Sequence, residues 1–200
     1  MKNIIRYTLI TFCLAFSIQN SSAQMYSSLT YDVSFPLSHE VIDFIDDTSW
    51  RGFTFKVGGE ITENIGAGIY SGWYVFNEKV RGEQITTDIS TLSGVQFRYI
   101  NIVPIMADVH YRMANSGDWT PYGSLGIGTY FFKHTTDVGI LRISDDEWHF
   151  GLAPEVGVAY HLRENSHLLL SIRYNHAFPT KDWNTQSFFQ INVGLMWSEW

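Results

Sequence analysis

Apolar and polar residues alternate along most of the chain, which is the pattern of β-strands that have one apolar face. In the first such segment Leu29, Tyr31 and Val33 alternate with Thr30 and Asp32. Most segments are about nine to twelve residues long, and together they fill most of the chain after residue 25. The pattern predicts eight strands, at about residues 26–35, 53–58, 65–75, 103–112, 124–131, 150–160, 168–175 and 189–197.

The connections between these segments alternate between short and long. The short ones are residues 61–64, 114–120 and 161–166, and the long polar ones are residues 38–50, 77–96, 133–148 and 179–187. Short periplasmic turns and longer extracellular loops are typical of membrane β-barrels. The sequence therefore predicts an all-β fold, an eight-stranded antiparallel up-and-down transmembrane β-barrel. Its even number of strands would place both ends of the barrel chain in the periplasm.

The composition of the two strand faces indicates which one meets lipid. One phase carries large aliphatic and aromatic side chains, whereas the other carries glycines, serines, Asn175, Gln190 and several charges. A soluble barrel has the reverse arrangement, with apolar residues inside. Tryptophans near strand ends are expected to form the two interfacial girdles of the barrel. These are Trp50, Trp73, Trp119, Trp148 and Trp197.

Composition and charge exclude several classes of function. Charged residues make up 16% of the chain, and the formal net charge of −7 argues against nucleic acid as a partner. The only cysteine is Cys13, which excludes disulfide frameworks and cysteine-ligated metal sites. We expect no cofactor. The partners expected are the lipid of the outer membrane, the machinery that inserts barrels and an extracellular ligand bound by the loops, with the protein itself a monomer.

Residues 1–23 have the features of a secretory signal peptide. Lys2 and Arg6 form a basic region, an apolar stretch follows, and Ser21 and Ala23 supply the small residues of a cleavage site. Phe12 precedes Cys13, where a lipoprotein would have a small residue, so lipidation is disfavoured. We expect export, cleavage before Gln24, and a mature barrel domain spanning residues 24–200.

Three segments carry a resemblance to a known group of proteins. They are residues 121–130 (PYGSLGIGTY), residues 151–160 (GLAPEVGVAY) and the closing residues 188–197 (FFQINVGLMW). The chain resembles small outer-membrane β-barrel proteins of the OmpA, OmpX and OmpW kind, which contain an outer membrane protein beta-barrel domain. The resemblance implies an outer-membrane location and leaves the activity open. Such proteins commonly end on an outward aromatic residue, whereas here Ser198, Glu199 and Trp200 follow the outward Trp197.

Residues of the small and polar face are expected to fill the barrel interior. If the turn at residues 161–166 is centred on Glu164, Glu155 lies directly opposite Arg173, because both are nine residues from that centre. Cβ atoms of such a pair are about 4.5–5.5 Å apart, which predicts a charge pair in the lumen. Lys56, Arg112, Tyr70 and Tyr130 are expected to point inward as well. An eight-stranded barrel has just enough room for its side chains, so no steady open channel is expected.

Side chains capable of catalysis or metal binding show no strong motif. The seven histidines lack close metal-like spacing. Acidic groups occur at Asp145, Asp146 and Glu147 and around Glu40 and Asp43, without the spacing of an EF-hand loop. The glycines of residues 123–128 fit small inward positions beside Tyr122 and Tyr130 better than a phosphate loop, because no helix follows them.

Three functions remain open. The first is a non-enzymatic outer-membrane barrel whose long extracellular loops serve adhesion, envelope stability or partner binding. The second is a lipid-modifying enzyme on the same barrel, similar to a lipid A deacylase. Such enzymes place a serine two residues after a histidine, yet Phe178 stands two residues after His176. The third is a lipocalin-like soluble carrier, which the arrangement of the two faces opposes.

Overall fold

The computed structural model describes residues 24–87, 90–113, 117–138, 141–181 and 183–198, without the side chains of Glu40, Asp43, residues 80–95 and Leu141. The predicted signal peptide, Glu199 and Trp200 lie outside the described residues. None of the described helices is both long and apolar enough to cross a membrane.

Eight strands form one closed antiparallel barrel in chain order, with β1 paired to β8. They are β1 (Met25–Pro36), β2 (Gly52–Glu60), β3 (Ile65–Thr87), β4 (Ser90–Arg112), β5 (Trp119–Val138), β6 (Leu141–Arg163), β7 (Ser166–Ala177) and β8 (Gln186–Ser198). The predicted fold, an eight-stranded up-and-down barrel, is confirmed. Because closure pairs every strand on both sides within the barrel, it leaves no free sheet edge there.

Neighbouring residues along each strand differ sharply in exposure. On β7, Ile172 is 45% exposed and Arg173 is 2% exposed, and on β6 the values are 63% for Val156 and 5% for Glu155. Large apolar side chains therefore face outward, and polar or charged ones face inward. This distribution matches a barrel surrounded by hydrocarbon rather than by water.

Four strands are much longer than the sequence pattern predicts. β3, β4 and β6 have 23 residues each and β5 has 20. The prediction of loops at residues 77–96 and 133–148 is therefore largely wrong, because these residues form two long β-hairpins. Beyond the apolar band of the barrel, neither face of these strands meets hydrocarbon. The backbone hydrogen bonds between the strands therefore continue, although apolar and polar residues no longer need to alternate strictly.

The long hairpins create a sheet that continues beyond the barrel. Strand β2 pairs with β3 only as far as Tyr74, and β7 pairs with β6 only as far as Gly151. We call residues 75–87, 90–101, 132–138 and 141–149 the extended sheet. Its outer strands, β3 and β6, have no strand partner on their far sides among the described residues. We call this end of the barrel the loop end and the opposite end the turn end.

Shorter connections complete the molecule. At the turn end, Glu164 and Asn165 form the tight turn of the β6–β7 hairpin, with a bulge between His161 and Arg163. At the loop end, the connection between β1 and β2 contains a short helix, α1 (His39–Phe44), that the alternation did not predict. Val41 of this helix and the following Ile45 are fully buried, so the connection folds onto the barrel opening.

Candidate functional site: the lumen and the loop end

Glu155 and Arg173 face each other inside the barrel, on adjacent strands. Nη2 and Nε of Arg173 lie 2.7 and 2.9 Å from the same oxygen, Glu155 Oε2. The hydroxyl of Tyr122 donates to Glu155 Oε1 at 2.8 Å. A buried charge without a partner costs several kcal/mol, so each side chain needs the other. The structure thus brings the two residues of the predicted lumen pair into direct contact.

Further charged lumen side chains also form ion pairs. Lys56 Nζ lies 3.0 Å from Asp108 Oδ1 and 3.8 Å from Glu155 Oε2. Closer to the turn end, Arg112 Nη2 lies 3.1 Å from Glu60 Oε2. All of these side chains point inward, as predicted for Lys56 and Arg112. The part of the lumen nearer the turn end therefore holds a compact network in which cations and carboxylates neutralise one another.

Hydroxyl and amide groups, together with the carboxyl group of Asp32, extend this network across the barrel. Arg173 Nη1 donates to Thr54 Oγ1 at 3.3 Å, Thr54 donates to Asp32, and Thr30 donates to Asp32 at 2.7 Å. Such connections satisfy the hydrogen-bonding capacity of buried polar groups. Further hydrogen bonds join Tyr130 to Asn175, Asn175 to Gln190 and Gln190 to Ser34, at 2.9, 2.8 and 3.0 Å.

An apolar cluster fills the lumen toward the loop end. Its members are Val41, Ile45, Tyr70, Tyr74, Phe76, Ile100, Ile102, Met106, Tyr130, Phe132, Ala153, Ala177 and Phe188. Phe188 is its centre, with ring centroids 5.8 to 6.2 Å from those of Tyr74, Phe76 and Tyr130. On the turn-end side of this cluster, a cavity of about 40 Å³ lies among Tyr26, Lys56, Glu155 and Arg173. That volume holds roughly one or a few waters, so the described side chains fill the lumen instead of lining a wide channel.

The five tryptophans of the predicted girdles all point outward, with exposures between 43 and 65%. Trp148 packs on Phe131 at the loop end, with ring centroids 5.1 Å apart, and Trp119 packs on Tyr160 at the turn end, at 4.6 Å. Twelve positions separate Trp148 from Tyr160 along β6. A membrane-spanning strand needs about nine to eleven residues, so the spacing fits a bilayer. Of the five, Trp50, Trp73 and Trp148 lie toward the loop end, and Trp119 and Trp197 toward the turn end.

A serine and a histidine meet on the outward side of β7 and β8 near the loop end, where the serine is buried. Ser187 is directly opposite His176 in the β7–β8 pair, and Ser187 Oγ lies 3.0 Å from His176 Nδ1. The hydroxyl of Tyr174 lies 3.3 Å from the same nitrogen. Ser187 is 11 residues from His176 along the chain rather than two, so the spacing of serine and histidine in the sequence does not reveal it. Only the register of β7 and β8 could have identified it.

The acidic residues of the loop end do not assemble into a metal site. Among the described residues no group of three histidine, cysteine, aspartate or glutamate side chains could hold a metal ion. The side chains of Glu40 and Asp43 lie outside the described set. Along the extended part of β6, Asp145 and Asp146 are exposed to solvent. They make this rim of the molecule acidic.

Aromatic side chains surround a buried histidine above the barrel. The ring of His134 stacks on Phe44 at 4.8 Å and contacts Trp183 at 4.4 Å, both between centroids. Burial lowers the pKa of His134 to about 4, and nearby His149 adds to the effect while Asp145 opposes it. His134 is therefore neutral at neutral pH. This cluster attaches the loop between β7 and β8 to the extended sheet.

Comparisons with known proteins agree with this architecture. A family model described as "Outer membrane protein beta-barrel domain" matches residues 8–198. No curated protein matches the chain in a sequence search. The chain is similar in fold to a major outer membrane protein of Thermus thermophilus, with a TM-score of 0.57, 12% identity, and coverage of 88% of this chain and 99% of that one.

Two further solved structures show the same barrel. Neisserial surface protein A aligns with a TM-score of 0.56, 12% identity, and coverage of 88% of this chain and 97% of that one. Ail of Yersinia pestis, solved in complex with the heparin analogue sucrose octasulfate, aligns with a TM-score of 0.50, 14% identity and the same coverages. Identities this low establish the fold alone. The family match, which spans nearly the whole chain, establishes more: the chain belongs to the outer membrane protein beta-barrel domain family and is a protein of the outer membrane.

Proposed function

We propose that this protein is a non-enzymatic outer-membrane barrel that displays the extended sheet outside the cell as a binding surface for a protein partner. The observation that carries the proposal is the edge of β6 between residues 141 and 149, which has no strand partner among the residues described; the last contact below it is the backbone N–H of Phe178, which donates to the carbonyl of Phe150. A free strand edge presents a row of backbone N–H and C=O groups, to which an extended segment of a partner adds as a further strand.

The charge of this edge favours a basic partner. Arg142 is paired with Asp137 of the neighbouring strand, at 2.7 and 2.9 Å, whereas Asp146 is exposed to solvent. Asp145 is exposed as well, although its Oδ2 accepts a hydrogen bond from Nε1 of Trp183 at 3.1 Å. The same charges discourage two copies of the chain from pairing edge to edge. Although Ail was solved with a polyanionic heparin analogue, the acidic rim here opposes a sulfated ligand.

A charge-reversal experiment tests the proposal. The purified barrel in lipid nanodiscs is screened against a panel of envelope and extracellular proteins, together with sulfated polysaccharides. We expect saturable binding to a basic polypeptide that is lost when Asp145→Lys and Asp146→Lys are combined. Glu164→Lys, at the exposed turn end, is the control and keeps binding unchanged. Binding to polysaccharide alone, or equal binding by both variants, would contradict the proposal.

The proposal includes the orientation of the barrel in the outer membrane. The turn end lies in the periplasm and the loop end outside, as in other membrane barrels with short and long connections. The five tryptophans then form two interfacial girdles, and the barrel is a monomer that reaches the membrane through the insertion machinery. Its folded form should survive mild detergent and migrate differently on a gel before and after boiling.

The packed lumen supports a barrel that does not conduct. The apolar cluster around Phe188 closes the loop end, and the network around Arg173 fills the lumen between that cluster and the turn end. The purified protein should therefore give no large, stable conductance steps in planar lipid bilayers. Such steps at low voltage would show that one of the two layers moves aside.

A second candidate function rests on the contact between Ser187 and His176. A hydroxyl 3.0 Å from an imidazole nitrogen is the starting geometry of a nucleophile and its base, here next to the outer leaflet. Among the described residues no carboxylate contacts His176 to orient it, and Ser187 is only 5% exposed, so this candidate ranks second. Mass spectrometry of lipid A from expressing cells tests it. Loss of acyl chains that Ser187→Ala abolishes and Ser144→Ala preserves would establish the enzyme, and an unchanged lipid profile would exclude it.

A further inference from the structure

Two histidines meet at the turn end of the lumen. His161 on β6 and His167 on β7 are directly opposite each other, beside the bulge that precedes the hairpin turn. His161 Nδ1 lies 3.2 Å from His167 Nε2. Arg112 of the lumen network lines the same cavity as the two histidines, and nothing in the proposed function uses the pair.

Neighbouring groups hold the ring of His167 and the backbone of His161. His167 is only 3% exposed, and its other ring nitrogen, Nδ1, lies 3.4 Å from Ser198 Oγ. The backbone N–H of His161 donates to the carbonyl of Asp118 at 2.8 Å. When Nδ1–H of His167 donates to Ser198, Nε2 carries a lone pair that points at His161. A hydrogen-bonded second nitrogen of this kind is usual in histidines that bind metals.

The space around the pair is polar and suited to a cation. A cavity of about 430 Å³ opens at the turn end and is lined by Glu63, Arg112, Asp118 and both histidines. The lining carries two carboxylates and one guanidinium, and that guanidinium, Arg112, is paired with Glu60 at 3.1 Å. The cavity has room for a metal ion together with several water ligands.

We propose that His161 and His167 together bind a divalent transition-metal ion through Nδ1 and Nε2. Two imidazole nitrogens that are each about 2.0–2.1 Å from one tetrahedral metal are about 3.3–3.4 Å apart, close to the separation seen here. Imidazole suits zinc, nickel and copper, and copper(II) binds most tightly to a given nitrogen site. Since the described residues provide no third protein ligand of the usual kinds, water completes the coordination.

A plain hydrogen bond between the two rings is the competing explanation, and a spectroscopic count of nitrogen ligands distinguishes the two. The mature barrel is folded in detergent micelles without a histidine tag and titrated with copper(II) in a buffer that does not bind metal. We expect one saturable equivalent, whose electron paramagnetic resonance spectrum shows coupling to two imidazole nitrogens. Calorimetry with zinc(II) should give the same stoichiometry with weaker binding.

Matched variants assign the site. Even loss of an outer-shell partner lowers metal affinity by roughly tenfold, so His161→Gln and His167→Gln should each weaken copper binding by at least about that factor. His39→Gln, at the opposite end of the barrel, should leave binding unchanged. A gel shift on heating verifies that each variant is folded. A spectrum with fewer than two imidazole nitrogens, or unchanged affinity in folded His161→Gln, would show that the pair is a hydrogen bond only and overturn the proposal.

Discussion

Arg173 donates two hydrogen bonds to a single oxygen of Glu155, from Nε and Nη2, across the β6–β7 pair. The other carboxylate oxygen accepts from Tyr122, and the remaining guanidinium nitrogen donates to Thr54 and Tyr74. One ion pair thus connects several strands through the lumen. Its contribution to the free energy of unfolding is measurable, because both side chains are buried and the hairpin fixes the register that places them opposite each other.

Removing Arg173 should destabilise the barrel. Arg173→Met leaves Glu155 buried, with only Lys56, 3.8 Å away, as a remaining cation among the described contacts. Loss of one partner of a buried pair costs about 3–5 kcal/mol, and Lys56 should keep the cost near the lower end. Adding Glu155→Gln should restore part of the loss. Urea unfolding in lipid vesicles measures both effects, and a fully stable Arg173→Met single variant would contradict the account.

The free-energy cost of placing a charge on the outer face should depend on where that charge lies relative to the membrane. Ile172→Arg places a charge among side chains that face hydrocarbon and should cost about 2–4 kcal/mol near the bilayer midplane. Ile143→Arg is the matched control, because Ile143 is similarly exposed but lies beyond Trp148 on the extended sheet. Its cost should be within about 0.5 kcal/mol. Equal costs in vesicle unfolding would show that the assigned membrane level is wrong.

Two glycines of β5 should respond differently to substitution, because Gly126 faces the lumen whereas Gly123, opposite the exposed Val156, faces outward, contrary to the inward position expected for it. A Cβ added at Gly126 would lie 2.7 Å from the Tyr70 hydroxyl, whereas one added at Gly123 meets nothing closer than 3.9 Å. Gly126→Ala should therefore cost about 1–3 kcal/mol through overpacking. Gly123→Ala should be neutral or slightly stabilising, because alanine is favoured over glycine within strands. The reverse order of stabilities would mean that the lumen is not tightly packed.

The buried His134 predicts an acid-sensitive loop end. Its pKa of about 4 is below the value of about 6.5 in an unfolded chain, so the unfolded state binds more protons between these values. Stability is full above about pH 6.5 and declines as the pH falls toward 4. Nuclear magnetic resonance of labelled histidine measures the pKa, and His134→Gln should show a flatter dependence of unfolding on pH. A pKa near the unfolded value would indicate that the cluster around Trp183 is open.

The membrane-spanning part of the fold can be predicted from the sequence because lipid requires apolar side chains on the outward face of each strand. Outward positions such as Ile172 must be apolar, and the tight turn near Glu164 sets the register that brings Glu155 opposite Arg173. Beyond Trp148 this constraint ends. Residues 133–148 therefore have a loop-like composition although they form paired strands.

Contacts between distant parts of the chain were not predictable in the same way. Ser187 and His176 lie on different strands and meet only because of the β7–β8 register. The short helix that buries Val41 interrupts no strand pattern, so period-two analysis could not detect it. Both features depend on three-dimensional packing at the loop end, where sequence periodicity carries little information.

The orientation of the barrel in the membrane is the most direct test of the account. The only cysteine, Cys13, lies in the predicted signal peptide, so a mature chain without added cysteine gives the background. Ser144→Cys places one thiol on the exposed extended sheet, and Asn165→Cys places one at the exposed turn end. On intact cells, a membrane-impermeant maleimide should label Ser144→Cys and should label Asn165→Cys only after the outer membrane is permeabilised. Labelling of Asn165→Cys but not Ser144→Cys on intact cells would contradict it.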